Sequence, residues 1–202
     1  MPFCNLDVDI LVGIQEHVRC TFLNYVFPLI THLGDAGIFW ILLTAVLLCF
    51  KKTRMAACFS AGALVGSLLL NNLLLKPLVA RVRPYKAHSE VILLKNAALP
   101  KLFQIKEATD FSFPSGHSAA SFASSVAMCR SLPRKWAVTL IVVACLIAFS
   151  RLYIGIHYPS DVLAGILDGI LLGILANIIG NAVLRRINRG KELSRADVKQ
   201  KG

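Results

Sequence analysis

Lys76 and Arg83 stand seven residues apart in a segment punctuated by Pro77 and Pro84. Two such cations suit an anion: the planar Arg fork matches phosphate oxygens, and Lys adds a compact charge. A second segment, Phe113-Pro114-Ser115-Gly116-His117-Ser118, opens a helical pattern. Pro114 suits a first turn, Gly116 admits a close backbone approach, and the unpaired N–H groups of a helix start attract anions, which puts His117 beside a bound phosphate. In a third segment, Ser150 to Asp161, His157 precedes Asp161 by four residues across a Tyr158-Pro159 turn. A carboxylate there takes one ring nitrogen and leaves the other to attack an electrophile, while Arg151 binds the oxygens of the group attacked. Each segment alone has an ordinary reading: a basic membrane flank, a structural histidine, or a loop ion pair between Arg151 and Asp161. All three fall at the same ends of apolar runs, and charges at such boundaries that are not simple flanks are costly and usually functional.

Those apolar runs are the elements that must position the three segments. The chain has 202 residues, 56% hydrophobic and 16% charged, and its mean hydropathy is +0.65. These values exclude disorder and argue against a water-soluble domain. Five runs approach the length of a bilayer crossing, over residues 33–50, 56–75, 115–128, 136–154 and 160–184. Ahead of them, residues 11–32 have amphipathic helical spacing and are expected to lie along the interface, or to add a sixth span if they enter it. The expected fold is all-α, a polytopic membrane helix bundle of five to six transmembrane helices with an amphipathic N-terminal helix. It forms one domain over 1–202, with a motif core at 56–180 and a basic tail at 185–202.

The net charge of +11 does not call for nucleic acid, because its pattern is that of membrane topology. Lys51, Lys52 and Arg54, then Arg130, Arg134 and Lys135, then the tail from Arg185 onward fall on one side if five spans alternate. The positive-inside rule makes that side cytoplasmic and puts the three segments on the other. No Asp/Glu cluster suited to magnesium is visible, so no metal or cofactor is expected. Cys49, Cys58, Cys129 and Cys145 read as small buried hydrophobes. Gly62 with Gly66, and Gly165 with Gly169 and Gly173, line helix faces that permit close packing. Arg81 and Lys86 are extra positives, read as solvating their loop in preference to meeting a second phosphate. Asp168 is expected to pair with Asn71 or Asn72 inside the bundle, without a catalytic role.

The chain resembles the type-2 phosphatidic acid phosphatase family of integral membrane lipid phosphatases. That family's signature is Lys, six residues, Arg-Pro; Pro-Ser-Gly-His; and Ser-Arg, five residues, His, three residues, Asp. Lys76 to Pro84, Pro114 to His117 and Ser150 to Asp161 match it at every defined position. The resemblance implies that His157 is a nucleophile forming a phosphohistidine, that Asp161 orients it, and that His117 protonates the leaving oxygen and then activates water. Lys76, Arg83, Arg151, Ser115 and the Gly116 backbone would hold the phosphoryl oxygens. It further implies a membrane lipid phosphate as substrate, at the extracytoplasmic face of the plasma (inner) membrane, and resembles bacterial members acting on undecaprenyl diphosphate or phosphatidylglycerol phosphate. The same motif serves lipid phosphotransfer when an acceptor alcohol replaces water, and the soluble vanadium haloperoxidases share its skeleton. A transporter or structural membrane protein is the rival of another class, with Asp168 and the glycine-rich fifth run suiting a solute path. Nothing in the sequence fixes an oligomeric state.

Overall fold

The computed structural model describes residues 2–95 and 98–200, and its regular elements are all helical among them. Helix α1 (Pro2–His17) and α2 (Thr21–His32) replace the single amphipathic stretch expected over 11–32. The interruption falls at Arg19, whose guanidinium donates to the carbonyls of Ile92 (2.8 Å) and Tyr153 (2.9 Å). After α2 a tight turn, Asp35–Gly37, has Ala36 at φ 49° and Gly37 at φ 67°. It leads into α3 (Ile38–Leu48), bent by 45° from α2.

Next, α4 (Arg54–Ser67) runs through a π-helical segment, Leu68–Leu75, into the short α5 (Lys76–Val79), followed by α6 (Pro84–Ala87). Pro77 has no N–H for the carbonyl four residues earlier, so the regular ladder cannot pass it, and the wider turns stand immediately upstream. Then come α7 (Gly116–Cys129), α8 (Arg134–Tyr153) and α9 (Pro159–Gln200). Of the basic tail 185–202, the backbone is helical to Gln200, and residues 201 and 202 lie outside the described ones.

Three helical stretches, Arg54–Ala87, Arg134–Tyr153 and Pro159–Gly190, are long and apolar enough to cross a bilayer, and α2 with α3 makes a fourth if the bent pair counts as one. Helix α7 has 14 residues, short of the roughly 20 that cross unaided. It is nonetheless central, packed on α4, α8 and most extensively on α9. Its buried Ser118, Ser121, Ser124 and Ser125 would be costly in lipid, and two of them have side-chain partners on other helices. Trp40 Nε1 donates to Ser121 Oγ at 2.9 Å, and Ser60 Oγ lies 2.7 Å from Ser124 Oγ and 2.8 Å from Thr44 Oγ1. These contacts tie α3, α4 and α7 together through groups that lipid could not satisfy.

The contact between α7 and α9 is nearly backbone on backbone. A Cβ added at Gly165 would lie 2.5 Å from the Ser115 carbonyl oxygen, and one at Gly169 would lie 2.5 Å from that of Ala119. The α4 glycines differ from this expectation: Gly62 meets nothing within 4 Å, and Gly66 meets only the Leu172 side chain at 3.3 Å. Outward, Leu163, Leu167 and Leu171 of α9 are exposed, an apolar face suited to lipid. The alternation of α4, α7, α8 and α9 brings Lys76, Gly116, Arg151 and Pro159 to one end of the bundle. Arg54, Arg130 and Arg134 lie toward the other.

Candidate active site

A cavity of about 570 Å³ opens at the first of these ends. Lys76, Arg83, Gly116, His117, Arg151 and His157 line it, so six of the eight residues singled out in the sequence share one wall. Asp161 and Ser115 stand behind that wall, both fully buried. The Ser115 hydroxyl accepts from Ser118 Oγ (3.0 Å), and its backbone N–H donates to the Asp161 carbonyl (3.0 Å), stitching the start of α7 to that of α9. Away from the polar residues the cavity continues between α3 and α4, along Ile41, Thr44, Leu64, Val65 and Leu68.

His157 sits in the turn between α8 and α9 and is 2% exposed. Its Nδ1 lies 3.6 Å from Asp161 Oδ2, longer than a hydrogen bond. Ser112 stands beside both, its Oγ 3.4 Å from Nδ1 and donating to Oδ2 at 2.5 Å. On the other edge of the ring, Nε2 is 3.3 Å from Arg83 Nη1. Arg bears only donors, so Nε2 presents a lone pair to it and the ring proton belongs on Nδ1. Burial pushes this imidazole down to about 3, against the raising effect of Asp161 and with the Arg83 and Arg151 charges lowering it further. The ring is therefore neutral at physiological pH.

Asp161 is held from a direction that the motif does not reveal. Arg81 Nη1 donates to its Oδ1 at 2.6 Å, and Nη2 donates to Asp7 Oδ2 of α1 at 2.8 Å. The same guanidinium stacks on Tyr158, 3.8 Å from the ring centroid. Arg81 thus neither solvates its loop nor faces a second phosphate. Nor does Asp161 pair with Arg151, whose Nη1 donates to Thr31 Oγ1 (2.6 Å) and whose buried Nε has no partner among the described residues. Asp168 likewise has no hydrogen-bond partner among them, so the expected pairing with Asn71 or Asn72 is not formed.

Asp110 lies between the two remaining cations, paired with Lys76 and with Arg83. Arg83 is anchored further by the carbonyls of Asp110 and Ile156, both at 3.0 Å. Burial alone would raise the Asp110 carboxyl, but the Lys76 hydrogen bond and the Arg83 charge hold it well below the usual carboxylate range. His117, from the first turn of α7, directs Nε2 at Asp35 Oδ1, 2.9 Å away. Ser112, Asp110 and Asp35 are site residues that the sequence motifs do not mark, and Arg81 is marked only as an extra positive. Arg81 and Asp35 had a faint signal, a charge two residues before Arg83 and a charge at the head of an apolar run; Ser112 had none.

Comparison with known proteins bears on the same residues. Residues 55–184 match the family model of the PAP2 superfamily. An undecaprenyl-diphosphatase of Sulfolobus acidocaldarius is 33% identical over 126 residues, 62% of this chain and 56% of that protein. The chain spans about half the length of the first curated relatives it matches. Among solved structures, Aquifex aeolicus LpxE superposes with a TM-score of 0.71 at 25% identity, covering 85% of this chain and 94% of that one. A transmembrane PAP2-type phosphatidylglycerolphosphate phosphatase from Bacillus subtilis gives 0.67 at 28% identity, covering 89% and 86%. All three chemically suggestive segments lie inside the matched region, and the apolar helices around them are those of a multi-pass membrane protein; the chain belongs to the PAP2 superfamily.

Proposed function

We propose that the chain is a metal-independent lipid phosphatase, a single membrane-embedded domain of the plasma (inner) membrane whose site faces the extracytoplasmic side. The observation that carries this reading is one cavity with two characters: a neutral, carboxylate-backed histidine among three cations in one part of its lining, and an apolar slot between α3 and α4 in another. The positive-inside rule supports the orientation, since the basic helix ends lie away from the cavity. The substrate is a lipid phosphate or diphosphate such as undecaprenyl diphosphate, phosphatidylglycerol phosphate or phosphatidic acid, with the apolar slot taking the first part of its tail.

In this mechanism Lys76, Arg83, Arg151 and the start of α7, with Ser115 and the Gly116 backbone, neutralise the phosphoryl oxygens. Such positioning and charge neutralisation are most of what phosphoryl transfer requires. His157 Nε2 attacks phosphorus, and the bond to the leaving oxygen breaks as His117 gives that oxygen a proton. Asp161 holds the imidazolium formed. Water then gives a proton to His117 and attacks the phosphohistidine, and the electron pair of the P–N bond returns to Nε2.

The test is phosphate release in detergent with EDTA present, from each of the three lipids. Sustained release with EDTA supports the reading and ranks the substrates; no release from any of them by folded protein refutes it. A second expectation concerns Arg81. Because it holds Asp161 without lining the cavity, Arg81→Ala is expected to lower kcat about 10- to 100-fold, with KM changed by less than about threefold, the signature of an interaction made in the transition state. Steady-state kinetics on the best lipid checks this.

A further inference from the structure

Asp35 lies outside residues 55–184, at the turn between α2 and α3, and is bound by two imidazoles at once. Its Oδ1 is 2.9 Å from His117 Nε2, and its Oδ2 is 2.5 Å from His32 Nδ1. An ionised carboxylate only accepts, so Nε2 of His117 carries a hydrogen and Nδ1 is the nitrogen left for a substrate. The main chain agrees with this assignment. A Cβ built on Gly34 would lie 2.5 Å from His117 Cδ2. The backbone just before Asp35 therefore covers the Cδ2–Nε2 edge of the ring and closes it to any ligand.

We propose that Asp35, its second oxygen held by His32, is the positioning residue that makes His117 both proton donor and proton acceptor. This inference rests on the reading of His117 as the general acid. In the first step the Nδ1–H bond of the imidazolium breaks, its proton goes to the leaving alkoxide oxygen, and the ring is left neutral with Nε2–H still donating to Asp35. In the second step a water O–H bond breaks, its proton goes to Nδ1, and the oxygen attacks phosphorus as the P–N bond to His157 opens. The carboxylate fixes the tautomer in both steps and stabilises the imidazolium, as third groups do for catalytic histidines.

The decisive comparison uses two leaving groups. Alkoxide from phosphatidic acid needs a proton, whereas nitrophenolate from p-nitrophenyl phosphate leaves without one. Wild type, Asp35→Asn, Asp35→Glu and His117→Ala, purified in detergent, are followed by rapid mixing and steady-state assay on both. For Asp35→Asn the turnover of phosphatidic acid is expected to fall about 10²-fold, at the lower end of what proton transfer supplies. With p-nitrophenyl phosphate the first burst of nitrophenolate keeps its wild-type rate, and only the later turnover slows as phosphoenzyme waits for water. Asp35→Glu restores most of the loss, and His117→Ala shows the same selectivity for leaving group. The proposal is overturned if Asp35→Asn slows the burst as much as the lipid reaction, or leaves both untouched, while His117→Ala remains selective. If His117→Ala itself slows both leaving groups alike, the acid role of His117 fails, and the role of Asp35 falls with it.

Discussion

His157→Ala is expected to abolish phosphate release, by about 10⁴-fold or more, corresponding to at least roughly 5 kcal/mol of lost transition-state stabilisation. No neighbour can take its place. Arg83, 3.3 Å from His157 Nε2, is a permanent donor, and in the proposed mechanism Nδ1 of His117 is committed to proton transfer at the leaving oxygen, with its Nε2 held by Asp35. Wild type mixed with labelled lipid phosphate and quenched in alkali is expected to hold acid-labile, alkali-stable phosphate on the protein, and the variant none. Because burial and the Arg83 and Arg151 charges push the His157 imidazole down to about 3, the lone pair is available across the neutral pH range. An acid limb near neutral pH in kcat/KM therefore belongs to another group. His157→Gln, closer in volume, serves as the folding control: equal loss of activity with an unchanged melting temperature assigns the effect to the ring. Retained phosphate release in either variant would falsify the nucleophile.

The second large effect concerns assembly of the site. Gly169→Leu is expected to lower the melting temperature in detergent by about 10 °C, from an overpacking cost of about 3 kcal/mol at roughly 2–4 °C per kcal/mol in a chain of this size. At this position a Cβ alone would sit 2.5 Å from the Ala119 carbonyl oxygen, 2.8 Å from Phe122 Cβ and 2.9 Å from the Ala123 nitrogen. Two of these three atoms are backbone, so relief requires α7 and α9 to separate. His117 and Ser115 ride on one of these helices and Asp161 on the other, so activity should fall further than stability. Gly62→Ala is the matched control. It has open space around it, and the exchange should leave the melting temperature unchanged or slightly raised, as for an unstrained helical glycine. Equal losses in the two variants would count against close helix contact as the cause.

The sequence displays the cations and histidines of the site because their spacing is local, within segments of a dozen residues. It does not display what holds them. Ser112 reaches Asp161 over 49 residues, Arg81 reaches Asp7 over 74, and Asp35 reaches His117 over 82. Such pairs exist only after the loops fold over the helix ends. The apolar runs around α4, α8 and α9 were equally legible, since lipid-facing helices must be apolar along their length. Helix α7 was harder to read: its buried serines bond one another, Trp40 and Ser60, which hydropathy counts as cost. The division between α1 and α2 was hidden for a similar reason, because Arg19 is fixed by two carbonyls more than 70 residues away.

Asp110 between Lys76 and Arg83 changes how affinity at this site is to be understood. Both cations are paired with Asp110 in this structure, so under the proposed function a substrate phosphate does not meet isolated charges but replaces one anion with another. The binding free energy is then a difference between two sets of ion pairs, smaller than either. A dianion able to reach Arg151 as well comes out ahead, whereas a monovalent anion gains little over the resident carboxylate. In the proposed reaction the same competition would run in reverse after hydrolysis. The tethered carboxylate, present at a high effective concentration, would displace orthophosphate once the lipid is gone, so the strength of charge needed for the chemistry would not become a trap for the product.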